Sequence, residues 1–311
     1  MASLLERPLR AAILAAADNS AVQRAVSRYG MRLGARRFVA GERAEDFLDV
    51  TQALNRQGFA VACGILGEGV KNAAEATNAA NQYCAMLRTF AQRGMDANVA
   101  FKLTHVGIDI DPEIAYGNAV HIAQTARELR NTMRLDMEQA RYVEATLEMY
   151  RRLREQFDNV GFVLQSYLHR SVDDLTSMLP LHPNVRLVKG AYLESPDVAY
   201  SSKADVDANY IRLAEIALTS PGYTAIATHD PKIVDAVEGI VKRERLPLRG
   251  RFEFQLLYGI GGPLAQRLLR SAYHVRLAVP YGNYWFPYLM RRLAERPANL
   301  AFFLKGAFGR T

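Results

Sequence analysis

Val160-Gly-Phe-Val-Leu-Gln165 carries no charge and is apolar on both sides of the pleat; Val185-Arg-Leu-Val-Lys-Gly190 reads almost the same way, broken by two cations. Strict alternation would mark a strand with one wet face. Its absence marks a strand buried on both faces, the habit of parallel sheets. Six further short runs share this texture: Phe59–Leu66, Asn98–Thr104 and Thr132–Met137 before them, and Thr224–Thr228, Phe252–Leu257 and Val275–Pro280 after them. With Val160–Ser166 and Val185–Ala191 they make eight candidate strands. Helical patterns such as Met137–Gln156, Val206–Leu218 and Pro231–Arg243 lie between them. The repeat averages about 31 residues, one βα unit. Eight such units predict an α/β fold of the (βα)8 TIM-like barrel type, spanning residues 46–311. Residues 1–45 have mixed three- and four-residue apolar spacing and predict an N-terminal helical arm. An open doubly wound sheet is the competing architecture, but Gly64-Ile-Leu-Gly67-Glu-Gly69 after the first strand does not fit the Gly-rich phosphate turn such sheets carry.

Half of the 311 residues are hydrophobic, which excludes a disordered or fibrous chain. Two cysteines, Cys63 and Cys84, are too few for a structural zinc site or a disulfide scaffold and read as reduced core residues, which suits the cytoplasm. The apolar run Ala11–Ala17 follows Arg7 and Arg10 and is closed by Asp18, so it reads as an amphipathic helix, not a secretory segment. No uncharged apolar run approaches the ~18 residues of a membrane span. Peripheral association with the inner face of the membrane stays open. The net charge of +7 fits either a nucleic-acid binder or a protein that grips anionic ligands. The basic residues are scattered over many helices without an aromatic-rich motif, so nucleic acid is not an expected partner.

In barrels of this type, ligands meet the C-terminal ends of the strands. Polar residues gather there: Glu68 after the first strand, Lys102, Thr104 and His105 in and after the second, and Asp136 and Glu138 in and after the third. Gln165 ends the fourth; Arg186 and Lys189 lie in the fifth, Thr228 and His229 at the end of the sixth, and Glu253 and Gln255 in the seventh. A lone buried charge costs several kcal/mol. Lys102, Asp136, Arg186 and Lys189 must therefore be paired with one another or meet a ligand. Thr228-His229-Asp230-Pro231 opens a helix, with Asp230 as N-cap and Pro231 at the first helical position. His229 there is either a capping side chain or part of an anion site. No HxH pair accompanies it, and no metal site is expected.

The last predicted helix runs from Tyr284 to about Glu295. Phe286, Leu289, Met290 and Leu293 form an apolar stripe, and Tyr288, Arg291, Arg292 and Glu295 fall on the opposite face. That second face is either solvated or, if the helix lies over the barrel mouth, a clamp for a carboxylate.

At this point a resemblance enters. Val185-Arg-Leu-Val-Lys-Gly-Ala-Tyr-Leu-Glu194, Leu135-Asp-Met-Glu138, Leu164-Gln-Ser-Tyr167, Ala227-Thr-His-Asp230, Phe252-Glu-Phe-Gln255 and Tyr288-Leu-Met-Arg-Arg-Leu-Ala-Glu-Arg296 resemble, in this order, motifs of the proline dehydrogenase family, in its monofunctional bacterial form. The resemblance implies a distorted barrel with non-covalent FAD, oxidising L-proline to Δ1-pyrroline-5-carboxylate as the first step of proline catabolism and passing electrons to a quinone. It implies that Arg291, Arg292 and Lys102 grip the substrate carboxylate, and that Glu68 gates the site by pairing with Arg292. Asp136, Leu257, Ala278 and Tyr288 would line the substrate pocket, and Arg186 would approach the reactive flavin edge. Cofactor contacts would come from Gln165, Val188, Lys189, Gly190, Ala191, Tyr192, Gln255, Leu256 and Glu295. Lys203, Thr228 and His229 would lie toward the adenosine-phosphate half.

Strand eight departs from the family pattern. Thirteen residues before the first clamp arginine the family usually carries Tyr; here that residue is Ala278. The extra room predicts weaker selection for proline and some turnover of 4-hydroxyproline or another substituted cyclic imino acid. Outside the family, the main rival is a Schiff-base barrel aldolase using Lys102 or Lys189 as nucleophile. A nonenzymatic flavin-binding module is a third possibility, opposed by the full Lys/Asp/Arg/Arg set. No sequence feature fixes an oligomeric state.

Overall fold

The computed structural model describes residues 34–67 and 69–295, with only the backbone for Arg291 and residues 293–295. Eight parallel strands close into a barrel in sequential order. They are β1 (Ala60–Ile65), β2 (Ala97–Lys102), β3 (Met133–Asp136), β4 (Val160–Gln165), β5 (Asn184–Val188), β6 (Tyr223–Ala227), β7 (Phe252–Leu257) and β8 (Val275–Tyr281). Helices α1 (Ala44–Arg56), α2 (Ala73–Arg93), α3 (Pro112–Glu128), α4 (Val143–Arg154), α5 (Ser171–Met178), α6 (Lys203–Thr219), α7 (Pro231–Arg243), α8 (Gly262–Arg270) and α9 (Trp285–Glu295) surround and extend it. This is the (βα)8 architecture expected from the eight apolar runs.

Strand register sorts the side chains into two layers. Val61, Cys63, Val99, Phe101, Leu135, Phe162, Leu187, Ile226 and Phe254 share the outward parity and join the helices in a continuous apolar core. Both cysteines are free and buried there. The inward parity carries small residues (Ala62, Gly64, Ala100, Gly161, Ala225, Ala227) and long polar ones (Lys102, Arg134, Asp136, Arg186, Glu253, Gln255, Arg276). Barrel interiors are usually filled by bulky branched residues. Here alanine and glycine concede that space to charged side chains, which must then satisfy one another.

Three sequence expectations shift. β5 stops at Val188, short of the predicted Ala191, because Gly190 turns the chain with φ +112. The helix predicted over Met137–Gln156 begins only at Val143, after a short turn at Ala140–Tyr142. There Glu138 is held by Thr104, and the Ala140 amide donates to Glu194 Oε1 at 2.8 Å. Most of the predicted arm lies outside the described residues; its described end holds one 3-10 turn at Ala35–Arg37 and then an irregular stretch. Ala40 N donates to Pro280 O and Gly282 N to Gly41 O, so this segment lies against the end of β8 before α1 starts. α1 itself runs across the expected boundary at residue 45.

Candidate functional site

The inward parity delivers one polar set to the C-terminal half of the barrel. Lys102 and Asp136 are register partners at the ends of β2 and β3. Gln165 and Val188 are partners at the ends of β4 and β5. Leu257 ends β7 beside Ala278, and Ala278 neighbours Ala62 on β1. Arg186 sits one step below Val188 on the same face of β5. Its guanidinium pairs with Asp136 through one nitrogen and donates to Gln255 Oε1 at 3.5 Å through another. The side chain is only 13% exposed, and its Nε has no hydrogen-bond partner among the described residues. A buried N–H without a partner is costly; Arg134 Nη1 and Arg154 Nε share this state among the described residues.

Gln165 is fixed from below the rim. Its Nε2 donates to Glu138 O at 2.8 Å, while the Glu138 carboxylate receives Thr104 N and Oγ1 at 3.1 and 2.7 Å. Glu138 and Thr104 thus tie together the ends of β2, β3 and β4. Both stand out in the sequence as polar residues at strand ends; their buried pairing shows only in three dimensions.

A second cluster lies between the end of β5 and helices α6 and α7. Lys189 Nζ meets Asp207 at 2.5 Å and Asp230 at 2.8 Å. Lys203 meets the same two carboxylates, Asp230 at 2.8 Å. Local rules place three of the four. Ser202 caps α6 by accepting from Asp205 N, which sets Lys203 and Asp207 one helical turn apart. Asp230 caps α7 by accepting from Lys232 N, with Pro231 next, as the sequence predicts. Burial pushes the Asp230 carboxyl up, but the two ammonium groups outweigh it and hold it below the ordinary carboxylate range. Hydrogen bonding to Asp207 raises Lys203. Sequence reading found both lysines and Asp230 but not Asp207, which is one polar residue among many on a helix.

His229 Nε2 accepts from the Leu257 amide at 3.0 Å, so the end of β6 is bonded to the end of β7 through an imidazole acceptor. Thr228 Oγ1 accepts from Asp230 N at 3.1 Å. Gly190 is required where it stands. Its φ of +112 disfavours any side chain, and an added Cβ would collide with the ring of Tyr167. Ala191 and Tyr192 follow on this loop, at the surface and partly buried respectively.

α9 buries Phe286, Leu289 and Met290 of the predicted stripe and leaves Tyr288 and Arg292 partly exposed; Trp285, seven residues before Arg292 and on the same side, is buried as well. Trp285 Nε1 anchors its start by donating to Glu42 Oε1 at 2.8 Å. The Arg292 guanidinium lies 5.3 Å from the centroid of the Tyr288 ring. Glu68 and the side chains of Arg291 and Glu295 lie outside the described residues. Among the described residues, the side chain of Leu256, an expected cofactor contact, points away from the barrel interior. Its register partner is Leu277, and both belong to the outer core, because Leu256 has the parity opposite to Gln255 and Leu257. Among the described residues no cluster of metal-ligating side chains occurs, and no helix is long and apolar enough to cross a membrane.

Comparison with known proteins follows the same lines. A family model described as proline dehydrogenase matches residues 47–305. Proline dehydrogenase 1 of Bacillus subtilis (strain 168) is 39% identical over 96% of this chain and 98% of its own length. Proline dehydrogenase of Deinococcus radiodurans is 40% identical over 97% of this chain and 99% of its own. Among solved structures, proline utilization A from Bdellovibrio bacteriovorus, inactivated by N-propargylglycine, superposes with a TM-score of 0.82 at 25% identity, over 92% of this chain and 35% of that longer one. With the barrel, the motif order and near full-length relatives in agreement, the chain belongs to the proline dehydrogenase family.

Proposed function

We propose that the barrel mouth binds FAD non-covalently and oxidises L-proline to Δ1-pyrroline-5-carboxylate, with a quinone as electron acceptor. The observation that carries this reading is Arg186: a guanidinium in the middle of the inward polar set, fixed by Asp136 and Gln255 and still 13% exposed toward the mouth. A flavin ring edge offers acceptors of the kind such a donor needs. Gly190, packed against Tyr167, shapes the loop after β5 that would lie beside the ring system. Lys189 and Lys203 would hold phosphate oxygens at the α7 N-terminus, exchanging them for the Asp207 and Asp230 carboxylates.

Bound flavin supplies the two-electron acceptor. The protein has to orient a small ring and fix its carboxylate, so positioning is its main contribution. Lys102, Arg291 and Arg292 would bind the carboxylate. Leu257, Tyr288 and Ala278 would enclose the ring, and Asp136 would hold Arg186 in place. Glu68 would close the site against Arg292. With no membrane-spanning helix among the described residues, contact with a membrane quinone would be peripheral.

An absorption spectrum of the purified protein, followed by anaerobic addition of L-proline, tests the reading. A flavin spectrum bleached by proline is expected. No flavin after FAD is added back, or a flavin that no cyclic imino acid bleaches, would overturn it.

A second substrate reading rests on Ala278. Its register neighbours across β1 and β7 are Ala62 and Leu257, so neither adjoining strand sets an aromatic side chain beside it. Trans-4-hydroxyproline should therefore be turned over alongside proline. Ala278→Tyr should raise the proline to hydroxyproline ratio of kcat/KM by about tenfold, the scale of a lost or gained pocket contact of 1–3 kcal/mol. An unchanged ratio would remove this reading and leave proline alone.

A further inference from the structure

Below the mouth the barrel interior holds a second ionic cluster. Glu253, near the start of β7 and 1% exposed, receives Arg276 Nε on both oxygens at 3.1 and 3.0 Å. His274 Nδ1 lies 3.2 Å from the same carboxylate. Arg276 also donates to Val61 O at 3.0 Å, which holds the guanidinium against β1. These contacts alone would make Glu253 a structural counter-ion. One further contact connects it to the mouth. Gln255 follows on the same inward parity of β7, and its Nε2 donates to Glu253 Oε1 at 2.5 Å.

An isolated glutamine amide can present either end to a neighbour. Here a carboxylate, which only accepts, takes the NH2 end, so the carbonyl end must face the other way. That oxygen is the one 3.5 Å from Arg186 Nη1, opposite Asp136. The chain of donors therefore has one direction, from Arg186 to Gln255 to Glu253. We infer that Glu253 is a positioning residue for the reaction: through the Gln255 amide, it fixes the orientation of Arg186 at the mouth. The inference rests on the flavin reading above only for what Arg186 faces.

Three variants of the full-length, flavin-loaded protein test it: Gln255→Met, Glu253→Gln and the double variant. Gln255→Met cuts the link and leaves the contacts of Glu253 with Arg276 and His274 intact, so it should fold. The limiting rate of anaerobic flavin reduction by L-proline should fall about tenfold, the scale of one net hydrogen bond, while the apparent affinity for proline stays within about twofold. The flavin midpoint potential should move to a more negative value, because a less ordered Arg186 stabilises the anionic reduced ring less. Glu253→Gln should change the same two quantities in the same direction. The double variant should be no slower than the slower single, because both act through one path.

Wild-type limiting rate and potential in Gln255→Met would overturn the inference, whether or not Glu253→Gln folds. So would losses that multiply in the double variant, or a Glu253→Gln protein that melts earlier but keeps both quantities. If proline fails to bleach the wild-type flavin, the proposed function falls and this inference with it. Bleaching in the wild type with unaffected variants removes the inference alone.

Discussion

Gly190 shows how one residue serves both the fold and the site. It ends β5 in a conformation that β-carbon-bearing residues avoid, and Tyr167 packs where a side chain would stand. Gly190→Ala combines backbone strain with that collision. It should cost roughly 1–3 kcal/mol or more, measured as a lower urea midpoint, and the protein should retain less FAD on purification. Wild-type stability would mean the loop after β5 relocates without penalty. Ala278 is the opposite case. It is conformationally ordinary, and its interest is the side chain the family usually carries there.

At the scale of single elements, two helix ends bear on the site. Asp230 is both the cap of α7 and a counter-ion for Lys189 and Lys203. Asn caps about as well as Asp, so Asp230→Asn separates the two roles. Helix stability should be nearly unchanged, while FAD should bind apoprotein several-fold more tightly, because one competitor for the ammonium groups is gone. Weaker binding in a titration would show instead that Asp230 holds the lysines in position for the phosphates. On α9, Arg292 stands one turn from Tyr288, on the side away from the buried Phe286 and Met290. A planar fork binds a carboxylate through two donors and an ammonium cannot. Arg292→Lys should therefore raise KM for proline about tenfold with a smaller effect on kcat, in line with one charge-assisted hydrogen bond. An unchanged KM would place the solvated-face reading of this helix ahead of the clamp.

For the molecule as a whole, stability in acid should depend on the barrel interior. Burial raises the Glu253 carboxyl, but Arg276, Arg134 and His274 outweigh it and lower it to about 2, against an ordinary value of 4.5. A carboxylate with a depressed pKa contributes stability that is fully present above the unfolded value. That contribution is lost as the pH falls through the folded value. Glu253→Gln leaves Arg276 and Arg134 with less compensation and should cost about 3–5 kcal/mol near neutral pH. In urea titrations, the gap between wild type and variant should stay constant down to about pH 4.5. It should narrow between 4.5 and 2. A gap independent of pH over that range would show that shape, not charge, makes Glu253 necessary. Arg134 belongs to the same interior: burial, then the neighbouring Arg186, lower it to about 10.

The periodic features were legible in the sequence because they are local. Apolar runs marked the strands; β7 at Phe252–Leu257 and α7 at Pro231–Arg243 match the expected bounds to the residue. Parity along β5 placed Arg186 and Val188 on one face, and the Asp230 cap followed from side-chain chemistry within four residues. The order of motifs identified the family. Tertiary structure alone decided the partners. Asp136 with Arg186, Asp207 with Lys189, and Gln255 with Glu253 and Arg186 meet because barrel closure sets their strands and helices side by side. A charge in an apolar run announces that it needs a partner, because desolvation is a property of the residue itself. Which partner it finds depends on the register between elements far apart in the chain, and no local pattern records that. Leu256 is a different case: its place in the motif suggested a cofactor contact, and parity within β7, itself a local feature, turns its side chain toward the helices.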